Sequence, residues 1–494
     1  MSKKPCSISF KPAGKNKPCT TVINGGLKVK KNIDAQCDLT VKKCLNVKNI
    51  VYSNTETITE SGQTVSGVKS LSWINTNGQG ELSDNTKDGF YKKVIKISEG
   101  STTEGWTSVG NTGDINNIVY TLAFDQKNEG PYVGGTINNV ASLGIFYLAK
   151  WTGSSWTSVG NGNDINQLVA TIAFDQKNEG PYVGGNFTDV AGITGLDYLA
   201  KWTGTSWTSV GNTGDFNAVV NTIAFDQNGD GPYVGGNFID VAGITGLDYL
   251  AKWTGTSWTS VGNTGDFNAF VNTIAFDQNG DGPYLGGIFT NVANLGIKNL
   301  AKWTGSSWTS VGNTGDINNI VYTIEFDQKN EGPYVGGQFT NVANLGINYL
   351  AKWTGSSWTS VGNIGDINNP VLTIAFDQKN EGPYVGGNFT DVAGITGLDN
   401  LAKWTGSSWT SVGNTGDFSS PVQTIVFDKI GDGPYVGGFF TDVAGIPGLD
   451  GLARFDQAQN YTLTYNTTET LTLTNVGENA CFIYNETLGE WVKI

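Results

Sequence analysis

Residues 300–313 and 350–363 are the same fourteen residues, LAKWTGSSWTSVGN, and near copies begin at Leu148, Leu199, Leu250 and Leu401. A period of 50 or 51 residues running through a 494-residue chain constrains the fold more than its composition does. Each unit must bury its apolar face against a copy of itself, so the architecture has to be an array.

Four landmarks recur seven times. Segments of the TIAFD type end at Asp125, Asp175, Asp226, Asp277, Asp327, Asp377 and Asp428. GPYVGG-type segments follow, with paired glycines from Gly134–Gly135 to Gly437–Gly438. LAKW comes third, ending as LARF at Phe455, and WTSVG fourth, at Trp106, Trp156, Trp207, Trp258, Trp308, Trp358 and Trp409. Each landmark is short, rich in strand-forming residues and bounded by Gly, Asp, Asn or Ser, which is the pattern of short strands joined by turns. DQKNEG or DQNGDG turns the first strand into the second, and TGSS or TGTS turns the third into the fourth. Four strands in 50 residues, repeated radially, make a β-propeller blade, so the expected fold class is all-β with a seven-bladed propeller over residues 105–455.

The two ends of the array are offset. The first WTSVG, at Trp106, has no LAKW before it, and the last LARF, at Leu452–Phe455, has no WTSVG after it. The ring is sealed if the first segment supplies the outer strand of the last blade, which removes the open edge of an unclosed array.

A second strand ending in a double glycine, an aromatic on the third strand and a Trp on the fourth resemble the kelch repeat. Trp151 stands where kelch repeats usually carry Tyr, and Trp156 matches the kelch Trp. The LAKW-G-SW-VG wording is similar to kelch-like repeats of giant-virus and bacterial surface proteins. The resemblance covers residues 105–455 and implies a propeller that binds partners through its longer loops. It implies no particular activity, because propellers host many.

Composition removes much chemistry. Histidine is absent and Arg454 is the only arginine. That excludes a Ser-His-Asp triad, an imidazole metal ligand and an arginine cluster gripping phosphate, while carboxylate-pair hydrolysis remains chemically possible. Near-identical blades also argue against an enzyme, since catalysis needs an asymmetric set of groups; they suit multivalent binding. No cofactor is expected.

Three sets of candidate site residues stand out. The fourth-to-first connections carry one aspartate each, Asp114, Asp164, Asp215, Asp266, Asp316, Asp366 and Asp417. A closed ring is expected to set them around one mouth, where they could meet a cation or sugar hydroxyls, or simply close their own turns. DQNGDG at Asp226, Asn228, Asp230 and at Asp277, Asn279, Asp281 has the spacing of a calcium loop but lacks its downstream glutamate, and a hairpin turn is the better reading. Cys6, Cys19, Cys37 and Cys44 are disulfide candidates, and no CxxC pair suggests zinc. The tryptophan pairs are expected to fill the spaces between blades, with sugar stacking as the alternative.

Residues 1–26 form a basic arm containing Cys6 and Cys19. Over residues 1–50, eleven lysines against Asp34 and Asp38 give about +9, while the whole chain carries −14. The arm is expected to dock or solvate, and nucleic acid is not an expected partner. Over residues 27–55 a hexad (Leu27, Ile33, Leu39, Leu45, Val51) suits a β-solenoid or an intertwined fibre shaft, with plain strands as the alternative. Residues 56–104 and 456–494 are Thr-rich and alternating, and are expected to form one small split β-domain into which the propeller is inserted. CFIYNETLGEWVKI and DGFYKKVIKI resemble a β-domain of viral fibre and virion proteins. The N-terminus has no apolar leader and no run of 18 apolar residues occurs, so neither a signal peptide nor a membrane span is expected.

Together these readings predict a non-enzymatic structural or attachment protein of a large DNA virus particle, located in the virion. It would be a homotrimer through its N-terminal region, with the propeller as a head for host surface protein or glycan, or for other virion proteins. A bacterial cell-surface adhesin and a carboxylate-dependent glycoside-active propeller are the alternatives.

Overall fold

A computed structural model describes residues 105–456, apart from positions 129, 178–179, 228, 230, 281, 379, 381 and 430–432 in the hairpin turns, and only strand segments outside that range. Its contacts divide the chain into two compact units, Trp106–Phe455 and the two flanks together.

Trp106–Phe455 is a seven-bladed β-propeller of antiparallel four-stranded sheets. Blade 1 comprises Val119–Phe124, Pro131–Gly135, Leu148–Trp151 and Trp156–Ser158, running from the innermost strand outward. The innermost strands of blades 2 to 7 are Val169–Ala173, Val220–Phe225, Val271–Phe276, Val321–Phe326, Val371–Ala375 and Val422–Phe427. Blade 7 takes its outer strand from the beginning of the ring: Gly105–Thr107 lies beside Leu452–Asp456. The offset of the landmarks is therefore the seal, and the sheet edge it covers would otherwise invite pairing with another chain.

The paired glycines set the blade spacing. A Cβ on Gly134 would stand 2.7 Å from Cγ1 of Val169, on the next blade's inner strand, and one on Gly437 would stand 2.5 Å from the same atom of Val119, across the seal. Only a residue without a side chain lets the second strand of one blade pack this closely on the inner strand of the next.

The apolar core is distributed over seven blade-to-blade seams rather than collected at one centre. The seam between blades 1 and 2 gathers Tyr132 and Leu148 from one side, and Val169, Ile172, Val183, Phe187 and Trp207 from the other. The closing seam brings Tyr435 and Leu452 of blade 7 against Val119, Val133 and Trp156 of blade 1. Fully burying a large apolar side chain contributes about 1.5–3 kcal/mol, so repeating this set at every seam is what holds the ring. The outer-strand tryptophans are 3–5 % exposed. The third-strand tryptophans are half-buried and face them directly, as Trp151 faces Trp156 with ring centroids 5.3 Å apart. The tryptophans are thus packing residues of the seam.

In the flanks, Leu27–Val29 pairs in parallel with Leu45–Lys48, setting Leu27 opposite Leu45, three hexads on. Thr64–Ser66 pairs with Tyr461–Thr464, and Val94–Ile97 with Ala480–Asn485, both antiparallel. Cys6, Cys19, Cys37 and Cys44 lie outside the described residues.

Candidate functional site

The propeller has two unlike faces. Hairpin turns joining first to second and third to fourth strands make one; the longer second-to-third and fourth-to-first connections make the other.

On the hairpin face every blade repeats one polar motif. The aspartate ending the inner strand, the second-strand tyrosine and the LAKW lysine meet: in blade 1, Asp125 Oδ2 accepts from Lys150 Nζ at 3.2 Å, and that ammonium stands 4.8 Å from the Tyr132 ring centroid. Equivalent ion pairs join Lys201 to Asp175, Lys252 to Asp226, Lys302 to Asp277, Lys352 to Asp327 and Lys403 to Asp377, at 3.2–3.6 Å. In blade 7 the chain's only arginine takes the lysine's place, with Arg454 over the Tyr435 ring. Burial raises the phenols of Tyr132, Tyr182, Tyr233 and Tyr334. Burial also pulls on Lys150, Lys201, Lys252 and Lys352, but the hydrogen bond to tyrosine and the aspartate charge outweigh it and leave these ammonium groups above their ordinary value. Repeated from blade to blade, this cluster braces the hairpin end of each sheet.

The calcium-like turns belong to this brace. Asp226 Oδ1 accepts the Gly229 N–H at 2.9 Å, and Asp277 Oδ1 accepts those of Asn279 and Gly280 at 3.1 and 2.9 Å. Their other oxygens are held by lysine. Asn228, Asp230 and Asp281 lie outside the described residues. No group of three or more metal-ligating side chains occurs among the described residues.

A second device closes around the same face. Gln126 Nε2 donates to the Gln176 carbonyl at 3.0 Å, and the relay continues through Gln227, Gln278, Gln328 and Gln378 to the Lys429 carbonyl. Lys429 Nζ then donates to the Gln126 carbonyl at 2.7 Å, completing the circle.

The fourth-to-first aspartates lie on the opposite face. Each closes its own turn. Oδ2 accepts the N–H of the asparagine three residues earlier at 2.8 Å, as Asp114 does from Asn111. The same oxygen of Asp417, Asp215 and Asp266 accepts the outer-strand indole N–H of Trp106, Trp258 and Trp308 at 3.0–3.1 Å. Asp164, Asp316 and Asp366 accept from Asn161, Asn313 and Asn363 in the same way.

Their backbone does more. The Asp114 carbonyl accepts the Ala141 N–H at 2.8 Å, and each sister aspartate holds the matching alanine, from Ala191 to Ala444, at 2.7–3.0 Å. Those seven alanines sit at φ 47–54°, a left-handed conformation that disfavours any residue with a Cβ. Two residues beyond each alanine an aliphatic side chain projects: Leu143, Ile193, Ile244, Leu295, Leu345, Ile395 and Ile446. Six of the seven are exposed. The aspartates are organisers of the loops that present this ring.

The contrast between faces is then sharp. All ten exposed large apolar side chains among the described residues lie on the loop face, the other four being Ile239, Phe270, Ile364 and Phe439. Its connections contain fifteen aspartates and no glutamate, against Lys298 alone. Burial, with the nearby charge of Asp189 and Asp391, raises the carboxyls of Asp197 and Asp399. Apolar points on an acidic ground are the features of a binding surface.

None of this was marked by a short motif. The signal for the brace was seven-fold recurrence of a complementary charge pair, Asp in one landmark and Lys in another. The signal for the ring of aliphatics was an apolar residue kept inside an otherwise Gly- and Asn-rich connection. No helix among the described residues is long and apolar enough to cross a membrane. No protein-family model and no curated protein matches the chain.

Proposed function

We propose that the protein is a non-enzymatic attachment component of a large DNA virus particle, with the propeller as its recognition head and the flanking strands as its mount. The observation that supports this reading most is the one-sided surface: the exposed large apolar side chains, and fifteen aspartates against one lysine, collect on the loop face, while a circle of hydrogen bonds runs round the hairpin face. Exposed apolar patches of this kind mark partner surfaces. The repeat wording similar to kelch-like surface proteins supports the particle setting. A bacterial adhesin would use the same head on a different mount.

The test is antibody labelling of intact purified particles with Fab fragments raised against the propeller, paired with attachment of those particles to host cells. Surface labelling and loss of attachment are the expected results. Particles that contain none of the protein would end the viral reading. Labelled particles that attach normally would end the attachment role.

A further inference from the structure

We propose that the sector of the loop face formed by blades 4 and 5, with the connection leading into blade 6, docks a polypeptide segment that is apolar at its centre and carries lysine or arginine on both flanks. This rests on the reading of the propeller as a recognition head and names the partner's chemistry.

The seven blades are not equivalent on this face. The second-to-third connections of blades 2, 3, 6 and 7 each carry two aspartates: Asp189 and Asp197, Asp240 and Asp248, Asp391 and Asp399, Asp442 and Asp450. Those of blades 4 and 5, NVANLGIKN and NVANLGINY, carry none. Blade 1 lacks them too, but stands alone between blades 7 and 2; blades 4 and 5 form the one two-blade run whose second-to-third connections carry no carboxylate, between the acidic connections of blades 3 and 6, with Lys298 inside it and Asp316 and Asp366 closing their own turns in the connections into blades 5 and 6.

The same sector holds three of the four most exposed large apolar side chains of the propeller: Leu295 at 54 %, Leu345 at 49 % and Ile364 at 58 %. Ile364 is the telling one. Its equivalents are Thr112, Gly162, Thr213, Thr264, Thr314 and Thr415, so the loop folds without an aliphatic there. A Cβ placed on Gly346 would lie 3.8 Å from Ile364 Cγ2, so this side chain stands beside the loop tip that carries Leu345. Blade 5 and the connection after it thus present adjoining aliphatics to water, where the repeat needs only one.

The presentation is rigid. Ala293 and Ala343, two residues before Leu295 and Leu345, are pinned at φ 51° by the carbonyls of Asp266 and Asp316, at 2.8 Å. A preformed apolar centre loses little conformational entropy on binding. Such a centre inside a polar rim is the usual anatomy of an interface that accepts anchor side chains. Charge sets the partner's flanks. Lys298, the one cation of the face, sits inside the sector, and Asp240, Asp248, Asp391 and Asp399 sit on either side of it. A bound segment accordingly has its cations over blades 3 and 6 and none over blade 4.

The experiment uses the full-length chain and three fluorescent synthetic peptides of equal length. One has a Leu/Val centre with lysine flanks, one has the same residues with the lysines central and the apolar residues outside, and one has glutamate flanks. Anisotropy titration at low salt is expected to show the first peptide binding about tenfold or more tighter than either control. The double variant Leu345→Ser, Ile364→Thr should lose about tenfold of that affinity with an unchanged melting temperature, because both side chains are exposed and threonine already occupies five sister positions. Leu143→Ser, in blade 1, should leave binding unchanged.

Equal binding of the lysine-flanked peptide and the scrambled control overturns the proposal, as does full affinity in the double variant. Absence of binding to any peptide, while Fab fragments still block particle attachment, overturns this partner and leaves the recognition head standing.

Discussion

The hairpin face and the loop face are built from the same seven repeats, yet they spend their side chains in opposite ways. On the hairpin face the repeated polar groups are paired with one another: aspartate with lysine, glutamine with the neighbouring carbonyl, and Lys429 closing the circle. On the loop face hydrogen bonding is spent on the backbone of the loops, which then hold aliphatic side chains out into water. The lesson is one of division of labour. Sequence kept from blade to blade braces the ring; departures such as Ile364 and the paired aspartates lie on the loop face.

The largest expected effect removes the ring that both faces share. Deleting residues 105–110 takes away the outer strand of blade 7 together with Trp106, its bond to Asp417 and its edge contacts with Phe418 and Phe455. Both faces should fail together, with loss of cooperative melting or a drop of more than ~4 kcal/mol. A truncated chain that melts near the intact one would show that the seal is dispensable.

Next comes the brace. Asp125→Ala strips Lys150 of its counter-ion beside Tyr132, leaving a largely buried cation, and should cost about 3–5 kcal/mol in denaturant unfolding. A loss below ~1 kcal/mol would place these ion pairs with ordinary surface pairs.

One residue breaks the repeat inside the wall. Glu325 stands where blades 1 to 4 and 6 have alanine and blade 7 has valine. Burial pushes its carboxyl up to about 7, against 4.5 ordinarily, partly offset by a hydrogen bond from the Phe326 N–H. The native state therefore keeps a proton that the unfolded chain releases above pH ~4.5. Stability falls as pH rises from there to about 7, and the cost is complete above that window. Glu325→Ala should raise stability by about 1–3 kcal/mol at pH 8 and by almost nothing at pH 4. Equal effects at both pH values would show that the carboxyl does not titrate in the native state.

The smallest effects separate the faces. Gln328→Ala removes one link of the glutamine circle and should cost about 0.5–1 kcal/mol. Ile364→Thr should stay within about ±0.5 kcal/mol, since nothing in the ring depends on it.

The propeller was legible in the sequence because its signal is periodic: landmarks seven times over, with an offset at the ends that locates the sealing strand. The seams followed from the tryptophans and paired glycines. The brace was not legible residue by residue, since Asp125 and Lys150 sit on strands that do not pair with each other, so their meeting depends on how the second strand, carrying Tyr132, lies between them. The aspartates of the fourth-to-first connections were visible, and turn closure was one of the readings the sequence left open for them. Their bonds to loop alanines, and for Asp215, Asp266 and Asp417 to outer-strand indoles, were not legible, because nothing local in the sequence forces alanine into a left-handed conformation. The glutamine circle depends on neighbouring blades, which a single repeat cannot reveal.

The division between the faces is tested most directly by melting temperature and lysine-flanked peptide affinity, measured together on two full-length variants. One carries Leu295→Ser, Leu345→Ser and Ile364→Thr on the loop face; the other carries Gln278→Ala, Gln328→Ala and Gln378→Ala on the hairpin face. The expected result is a loop-face variant that melts with the unaltered chain and binds at least tenfold more weakly, and a hairpin-face variant that melts several degrees lower and binds as before. A loop-face variant that loses stability but keeps its affinity, beside a hairpin-face variant that loses affinity, would contradict the division.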